Sequence, residues 1–321
     1  MRVLIVKTSS MGDLVHTLPA LTDALQAIPD IRFDWVCEPA FAEIPHWHPA
    51  VSDVLAIPLR QWRGKIHRLL FSREFMGYKA AVGAHAYDAV IDAQGLMKSA
   101  FLITRFSQGP RHGFGFGSAR EALAALAYKH GHRVPKAMHA VTRTRHLFAE
   151  SLGYPMPDTE PDASVDLGCS VAACNRLVLV TQASRPQKMW TLDAWQRVIE
   201  GAGSQFDEIL LPAGSEAEAH ALAPLTENNV SVSIANGLSL TEVALKMAGA
   251  RAVVAVDTGL AHVADALGVP LLALYGPTAP GLVGPRGTLS DVLKSPTQRL
   301  SDLSVDSVIH WISALDTASG G

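Results

Sequence analysis

Residues 251–278 read RAVVAVDTGLAHVADALGVPLLALYGPT, an apolar run, a polar turn, a helical pattern and a second apolar run. The continuous apolar run Ala252–Val256 is typical of a strand buried on both faces of a parallel sheet. Asp257, Thr258 and Gly259 end that strand and begin the helix. The first amides of a helix are unpaired and carry the positive end of its dipole, so this turn predicts an anion site. The plainer alternative is that Asp257 or Thr258 only caps the helix.

The same alternation of apolar strands and helical patterns extends outward in both directions from this stretch. It predicts an α/β protein with two doubly wound, mostly parallel sheets. A segment rich in Pro and Asp, Tyr154–Asp166, is the best linker candidate. We therefore expect two Rossmann-like domains, 1–156 and 157–321, facing a central cleft, with the C-terminal helix a candidate to return to the first domain. Strands are predicted at Arg2–Lys7, Phe33–Val36, Val54–Ile57, Ala89–Asp92, Leu177–Val180, Glu208–Leu211, Val230–Ser233, Ala252–Val256 and Pro270–Tyr275.

Composition is that of a globular protein with ample apolar material: 321 residues, 48% of them hydrophobic, with a net charge of -3. No apolar run reaches the roughly 18 residues that a membrane span requires, and the N-terminus enters a strand without a signal-peptide pattern. Three cysteines without metal-ligand spacing indicate reduced thiols. These features predict a cytoplasmic protein.

Charge is distributed unevenly along the chain. Residues 1–160 hold 18 Lys and Arg against 14 Asp and Glu, and the remainder holds 9 against 16. Two basic stretches carry the excess: Leu59–Phe71, with Arg60, Arg63 and Lys65 among its cations and no acid, and Phe101–Ala149, with eight cations including Arg120 against Glu121 alone. Such stretches are usually solvated faces, but two on one domain suggest an anionic partner such as a phosphate, a carboxylate or a membrane surface. Without interleaved aromatic residues they do not favour nucleic acid.

Asp13 follows the first predicted strand and Gly12, which allows close approach of a ligand or of backbone. Aspartate is a common helix cap, and that interpretation is as good as any on local grounds. The functional interpretation places a carboxylate at the strand edge, where it can accept the proton of an attacking hydroxyl.

In the second half, loops that follow strands carry further candidates. Ser184 and Lys188 lie in the loop after the strand ending near Thr181, and Lys188 is either a solvated lysine or a cation for a diphosphate or sugar hydroxyl. Gly214 and Glu218 follow the next strand, where a carboxylate can accept ribose hydroxyls or simply favour the helix dipole. There is no Walker A sequence, no G-x-G-x-x-G after a strand, and no D-x-D pair for a metal.

Several short motifs occur together along the chain. They are Met11-Gly12-Asp13, HTLP at residues 16–19, DAQGL at 92–96 and DTGLAH at 257–262. With these motifs in this order, the chain resembles the lipopolysaccharide heptosyltransferases of glycosyltransferase family 9 from Arg2 to about Ala314. The resemblance implies a GT-B fold and inverting transfer of L-glycero-D-manno-heptose from ADP-L-glycero-β-D-manno-heptose to Kdo2-lipid A. It also implies an acceptor-binding first domain, a donor-binding second domain, no metal or other cofactor, and an enzyme peripheral to the cytoplasmic face of the inner membrane.

The resemblance also implies roles for individual residues. Asp13 would be the general base on the acceptor hydroxyl, and Ser184 stands where the family often has a threonine. The implied donor-binding residues are Ser184, Lys188, Gly214, Glu218, Asp257, Thr258, Gly259 and His262. The implied acceptor-binding residues are Ser10, Gly12, Arg60, Arg63, Lys65, Gln94 and Arg120.

Three alternatives stay open from the sequence. Another heptosyltransferase of the same family would add the second or a later heptose. An epimerase would act on the nucleotide sugar without any acceptor. A non-catalytic module would bind the nucleotide sugar and never turn it over.

Overall fold

The structure is a computed structural model that describes residues 1–62, 72–227 and 231–318. The chain forms two compact units, Met1–Asp166 and Leu167–Gly321. Arg63 and Lys65, both predicted to contact the acceptor, lie outside the described residues. No helix among the described residues is long and apolar enough to cross a bilayer.

The first unit is built on a six-stranded parallel sheet with the strand order β3-β2-β1-β4-β5-β6. Its central strand, β1, has four fully buried residues, Val3 to Val6, because helices cover both faces of the sheet. The strands are β1 Arg2–Val6, β2 Arg32–Cys37, β3 Val51–Ala56, β4 Ala89–Asp92, β5 Arg111–Phe114 and β6 His130–His132.

The second unit repeats this topology with the order β12-β11-β10-β7-β8-β9, also parallel throughout. Numbered within each unit, both sheets have the order 3-2-1-4-5-6 of doubly wound dinucleotide folds. The predicted α/β class with two doubly wound parallel sheets is therefore confirmed. The strands are β7 Cys174–Val180, β8 Glu208–Ala213, β9 Val232–Asn236, β10 Ala250–Val256, β11 Leu271–Tyr275 and β12 Ser290–Lys294.

Helices connect the strands and cover the sheets. Those of the first unit are α1 Met11–Val15, α2 Leu18–Ala27, α3 Glu43–His46, α4 Leu59–Trp62, α5 Arg73–Val82, α6 Met97–Leu102 and α7 Ala140–Leu152. Those of the second are α8 Leu192–Ala202, α9 Glu216–Leu222, α10 Leu240–Ala248, α11 Gly259–Ala266, α12 Pro280–Val283 and α13 Val305–Ala318. The C-terminal helix α13 packs within the second unit, where its Val308 and Ile312 join the same core as Trp195 of α8.

Three short strands, β5, β6 and β12, are absent from the sequence prediction. The sequence from Gly109 to Gly131 predicts a Gly-rich, basic loop followed by a helix around Glu121–Tyr128, whereas the structure has a 3₁₀ turn at Ala122–Ala127 between strands β5 and β6. Strands β5 and β6 read RHGF and HGH, which lack the apolar run that identifies a buried strand. They form because the edge of β4 is available to hydrogen-bond with β5, and the outer edge of β5 is then available to hydrogen-bond with β6.

A buried ion pair joins two helices of the first unit. The guanidinium of Arg145 on α7 donates to both carboxylate oxygens of Asp23 on α2, at 2.6 and 3.1 Å, and both side chains are almost fully buried. The third guanidinium nitrogen, Arg145 Nη1, donates to the carbonyl of Thr159 at 2.9 Å. This bidentate geometry satisfies most of the buried polar atoms of the pair.

Candidate active site

Doubly wound sheets bind ligands outside the carboxyl ends of their strands, at the point where the strand order reverses. In the first unit that point lies between β1 and β4, and in the second between β7 and β10. Asp13 and Gln94 follow β1 and β4, and Lys188 and Asp257 follow β7 and β10. These four predicted residues thus lie at the two switch points, where sheets of this fold bind ligands.

Asp13 occupies the first turn of α1, where two neighbours hold its carboxylate. Its Oδ2 accepts hydrogen bonds from the backbone N–H of Ser10 at 2.9 Å and from the Ser10 hydroxyl at 3.1 Å. Its Oδ1 lies 3.5 Å from Lys7 Nζ, and 36% of the side chain is open to solvent. The carboxylate is therefore both a helix-capping group and an oriented, accessible acceptor for a proton, so the two sequence interpretations do not exclude each other.

The electrostatic surroundings keep Asp13 ionised. Burial is the largest influence and opposes ionisation, but the charges of Lys7 and Arg120 and the two Ser10 hydrogen bonds together lower the pKa of Asp13 below its ordinary value. At neutral pH the group is therefore a carboxylate, as a general base must be.

Lys7 is a site residue that the sequence analysis missed. It is the last residue of the run RVLIVK and is 8% exposed, with its ammonium group donating to the carbonyl of Ala93 at 3.0 Å. A lysine at the end of an otherwise apolar strand was the available signal, because such a cation is buried only where something pairs with it.

Gln94 ties the ends of β1 and β4 together. Its side-chain oxygen accepts from the backbone N–H groups of Thr8 and Ser9, at 2.9 and 3.2 Å. The turn that presents Gln94 is itself fixed by Asp92, whose Oδ1 accepts from the N–H groups of Gln94 and Gly95. Asp92 and Gln94 of the DAQGL motif thus shape the loop that carries Ser10, Gly12 and Asp13.

Two predicted basic residues lie near this edge of the first sheet. Arg120 is exposed and close enough to Asp13 for its charge to act on that carboxyl, and the neighbouring Glu121 N–H donates to the carbonyl of Gly95 at 3.0 Å. Arg60 follows β3; its backbone N–H donates to Glu38 Oε1 at 2.9 Å, and its guanidinium lies over the ring of Phe41. Burial raises the pKa of Glu38, a second carboxylate that the sequence analysis did not select.

In the second unit, Lys188 and Asp257 form an ion pair across the switch point. Lys188 Nζ lies 2.5 Å from Asp257 Oδ2, and the side chains are 21% and 8% exposed. A 3₁₀ turn at Pro186–Lys188, whose Lys188 N–H donates to the carbonyl of Arg185, directs the lysine toward the end of β10. The two residues lie 69 positions apart in the sequence, so their pairing is a product of the tertiary structure.

Helix α11 begins beside this pair. Thr258 is its N-cap with an extended backbone, and within the described chain its hydroxyl makes no capping hydrogen bond to the helix. Gly259 is the first helical residue, and His262 is 7% exposed on the same face as Thr258. The helix start therefore directs its first amides and its dipole beyond the strand end, as an anion site requires.

The remaining donor candidates lie in the loops after β7 and β8. Ser184 is exposed in the loop that precedes Lys188. Glu218 turns back so that its Oε2 accepts the N–H of Gly214 at 2.7 Å, while its own N–H donates to the Ser215 hydroxyl at 3.2 Å. A side chain added at Gly214 would come within 3.3 Å of that carboxylate. Glu218 is thus held at the strand end by Gly214 and Ser215.

In the part of the chain that the structure describes, no three His, Cys, Asp or Glu side chains are grouped so as to hold a metal ion. Lys188 and the start of α11 are the positive groups of the second unit's site.

Comparison with known proteins gives these edges a context. Residues 77–311 match the model of glycosyltransferase family 9 (heptosyltransferase). Over 316 residues the chain is 46% identical to lipopolysaccharide heptosyltransferase 1 of Salmonella typhimurium, covering 97% of this chain and 100% of the relative.

Solved structures agree. The chain is similar to E. coli heptosyltransferase WaaC with ADP, at a TM-score of 0.92 and 44% identity, covering 98% of this chain and 100% of that one. It is also similar to E. coli heptosyltransferase WaaC with ADP-2-deoxy-2-fluoro heptose, at a TM-score of 0.90 and 44% identity, covering 98% and 99%. The predicted family and its GT-B-like α/β fold are confirmed: the chain belongs to glycosyltransferase family 9, the heptosyltransferases.

Proposed function

We propose that this protein transfers L-glycero-D-manno-heptose from ADP-L-glycero-β-D-manno-heptose to Kdo2-lipid A in the synthesis of the lipopolysaccharide inner core. The observation that carries the proposal is the ionised, doubly held carboxylate of Asp13 at the switch point of the first sheet. The identity of 46% with a lipopolysaccharide heptosyltransferase 1 along the chain supports this choice of sugar and acceptor.

The first unit would bind and activate the acceptor. Asp13 would take the proton of the attacking Kdo hydroxyl while the oxygen forms its bond to the anomeric carbon of the heptose. Ser10, Gly12 and Gln94 shape the loop around that carboxylate. Arg60, Arg63, Lys65 and Arg120 would bind the carboxylates and phosphates of the acceptor, as the basic excess of residues 1–160 favours.

The second unit would bind the donor and stabilise the leaving group. As the bond from the anomeric carbon to the diphosphate breaks, negative charge grows on ADP, and Lys188 with the first amides of α11 at Thr258 and Gly259 would stabilise it. Asp257 and His262 would contact the heptose or the neighbouring phosphate, Ser184 a phosphate, and Glu218 beside Gly214 the ribose. We propose that these protein groups replace a metal ion, so that no cofactor is needed.

Inversion follows if the hydroxyl attacks the face of the heptose opposite to the diphosphate. A base in one unit and a leaving-group site in the other are suited to that requirement. We further propose that the protein works in the cytoplasm, peripheral to the inner membrane that holds the lipid acceptor, and that it contacts anionic lipid there.

The deciding experiment incubates the full chain with ADP-heptose and, in parallel, Kdo2-lipid A or its monoheptosylated form. Mass spectrometry should find one added heptose on Kdo2-lipid A and a molar equivalent of ADP. Transfer only to the monoheptosylated form would assign the protein to a later heptose. Conversion of the donor without acceptor would indicate an epimerase, and binding without turnover a non-catalytic module.

A further inference from the structure

Four large apolar side chains are exposed within one stretch of the first unit, residues 97–126. Met97 is 42% exposed, Phe116 57%, Leu123 53% and Leu126 63%. The other exposed large hydrophobic residues described in this unit are Met1 and Met76. Several exposed large apolar side chains within one stretch suggest a surface that meets a partner or a membrane, whereas single exposed apolar residues need no explanation.

The 3₁₀ turn at Ala122–Ala127 exposes its large residues and buries its small ones. Ala124, Ala125 and Ala127 pack with Ala100 of α6 in one small cluster. Because a 3₁₀ helix has three residues per turn, Leu123 and Leu126 point in the same direction, away from that cluster. This is the reverse of the usual arrangement, in which leucine is buried in preference to alanine.

Hydrogen bonds also fix the backbone at Met97 and around Phe116. Phe116 lies at the tip of a tight turn in which the Ser118 N–H donates to the Gly115 carbonyl at 2.8 Å. The Met97 N–H donates to Glu121 Oε2 at 2.6 Å, which fastens the start of α6 to the residue before the 3₁₀ turn. The exposed residues thus stand on a fixed framework.

Positive charge accompanies these apolar residues. Lys98 and Arg120 are exposed beside them, and the stretch contains one acid, Glu121, whose carboxylate already accepts from Met97. Apolar side chains flanked by lysine and arginine match the interface of a bilayer with anionic headgroups, where the chains enter the acyl boundary and the cations remain at the phosphates.

The stretch also adjoins the proposed catalytic base. Arg120 is close enough for its charge to act on Asp13, and Glu121 is bonded to Gly95 in the loop after β4. A surface at this edge would bring a lipid-borne sugar hydroxyl to the carboxylate without removing the lipid from its bilayer.

We propose that Met97, Phe116, Leu123 and Leu126, with Lys98 and Arg120, form a docking surface for an anionic lipid bilayer. The proposal rests on the proposed function, since it gives the lipid-linked acceptor its route to Asp13. The docking surface explains why large apolar side chains remain exposed beside cations at the edge of the sheet that carries the base.

Flotation of the full chain with vesicles tests this surface. Wild-type protein should bind vesicles of phosphatidylglycerol and phosphatidylcholine more tightly than vesicles of phosphatidylcholine alone. The variant Leu123→Ser/Leu126→Ser should lose about ten-fold or more in affinity for the anionic vesicles, because two half-exposed leucines no longer enter the interface. The matched control Leu282→Ser/Leu289→Ser removes leucines of the second unit that are 45% and 53% exposed and should bind as wild type does.

Three results would overturn the proposal: no vesicle binding by the wild type, unchanged binding by the double variant, or equal loss in the control. Light scattering addresses a second copy of the chain as the occupant. A fall in molecular mass caused by Leu123→Ser/Leu126→Ser, with vesicle binding unchanged, would identify a dimer surface instead and exclude the bilayer.

A pair of acceptors separates this proposal from the proposed function. The double variant should keep its kcat/KM on the water-soluble sugar portion of Kdo2-lipid A and lose activity on Kdo2-lipid A embedded in vesicles. Wild-type protein that transfers heptose to neither acceptor would refute the proposed function, whereas vesicle binding, measured without substrate, would still decide the docking surface.

Discussion

Lys188 Nζ lies 2.5 Å from Asp257 Oδ2, joining the loop after β7 to the end of β10 at the switch point of the second sheet. The carboxylate of Asp257 balances the positive charge of Lys188 at the place where a diphosphate is proposed to bind. It also holds the ammonium group in position before the ligand binds. A preorganised cation in a partly buried site interacts more strongly with phosphate than a solvated surface lysine does.

Replacing Lys188 with methionine should weaken ADP binding by about ten- to a hundred-fold, the range expected for losing one charge-assisted hydrogen bond to phosphate. Isothermal titration calorimetry with ADP measures this directly. Arg185→Met, an exposed cation in the same loop, is the control and should change affinity little. Unchanged affinity in Lys188→Met would remove the lysine from the donor site.

Asp13→Ala should lower turnover by about 10²- to 10⁴-fold, the usual contribution of a positioned base, while ADP binds as in the wild type. The reason is that Asp13 belongs to the first unit and the proposed diphosphate groups belong to the second. Steady-state transfer and ADP titration are compared on the same preparation. Asp53→Ala, an exposed carboxylate of the same unit, serves as control, and full turnover in Asp13→Ala would exclude the assigned base.

Lys7→Met should move the acid limb of the kcat/KM profile to higher pH. Lys7 stabilises the ionised form of Asp13, so its removal raises the pKa of that carboxyl and the base is protonated earlier as pH falls. The profile of Lys136→Met, an exposed lysine of the same unit, should coincide with that of the wild type. An acid limb that stays in place in Lys7→Met would mean that Asp13 does not govern it.

Stability should fall below about pH 6.5, the ordinary pKa of histidine, partly because of His48. Burial lowers the pKa of His48 to about 4, and its ring bridges the Thr22 hydroxyl and the Ala50 N–H. Between these two pH values His48 is protonated in the unfolded chain but not in the folded chain. The contribution of His48 to the free energy of unfolding is therefore fully present above pH 6.5 and is lost as pH falls toward 4. The shift corresponds to about 3 kcal/mol.

Urea unfolding at several pH values measures this effect. The variant His48→Gln should show a flatter pH dependence than the wild type, whatever its stability at pH 7. His85→Gln, which removes an exposed histidine, should keep the wild-type slope. Equal slopes in the wild type and His48→Gln would contradict the prediction.

Replacing one partner of the buried Asp23–Arg145 pair should lower the free energy of unfolding more than replacing both partners. Arg145→Met leaves a buried carboxylate without its partner and should cost about 3–5 kcal/mol of unfolding free energy. The double variant Asp23→Leu/Arg145→Met should recover most of that loss. Arg197→Met, which breaks a solvent-exposed pair with Asp306, should have little effect. A double variant as unstable as the single one would show that the packing of the arginine, and not the stranded charge, dominates.

Local patterns in the sequence predicted the parts of the fold that are buried on both faces. The apolar runs Val3–Val6 and Ala252–Val256 lie in the central strands β1 and β10. Strands β5, β6 and β12 escaped prediction because they lie at a sheet edge or next to it, where a strand is stabilised by its neighbour's hydrogen bonds and needs no apolar run of its own.

The sequence by itself determined the α/β class, the family and the residues that follow strand ends, because those depend on local periodicity and short motifs. Only the tertiary structure decided which of them meet. It placed Lys7 beside Asp13, across the turn that follows β1. It also placed Gln94 beside Thr8 and Lys188 beside Asp257. The residues of these last two pairs follow strands that are neighbours in the sheet but distant in the chain. The tertiary structure also turned Leu123 and Leu126 outward, because the three-residue repeat of the 3₁₀ turn gives their side of the helix to solvent.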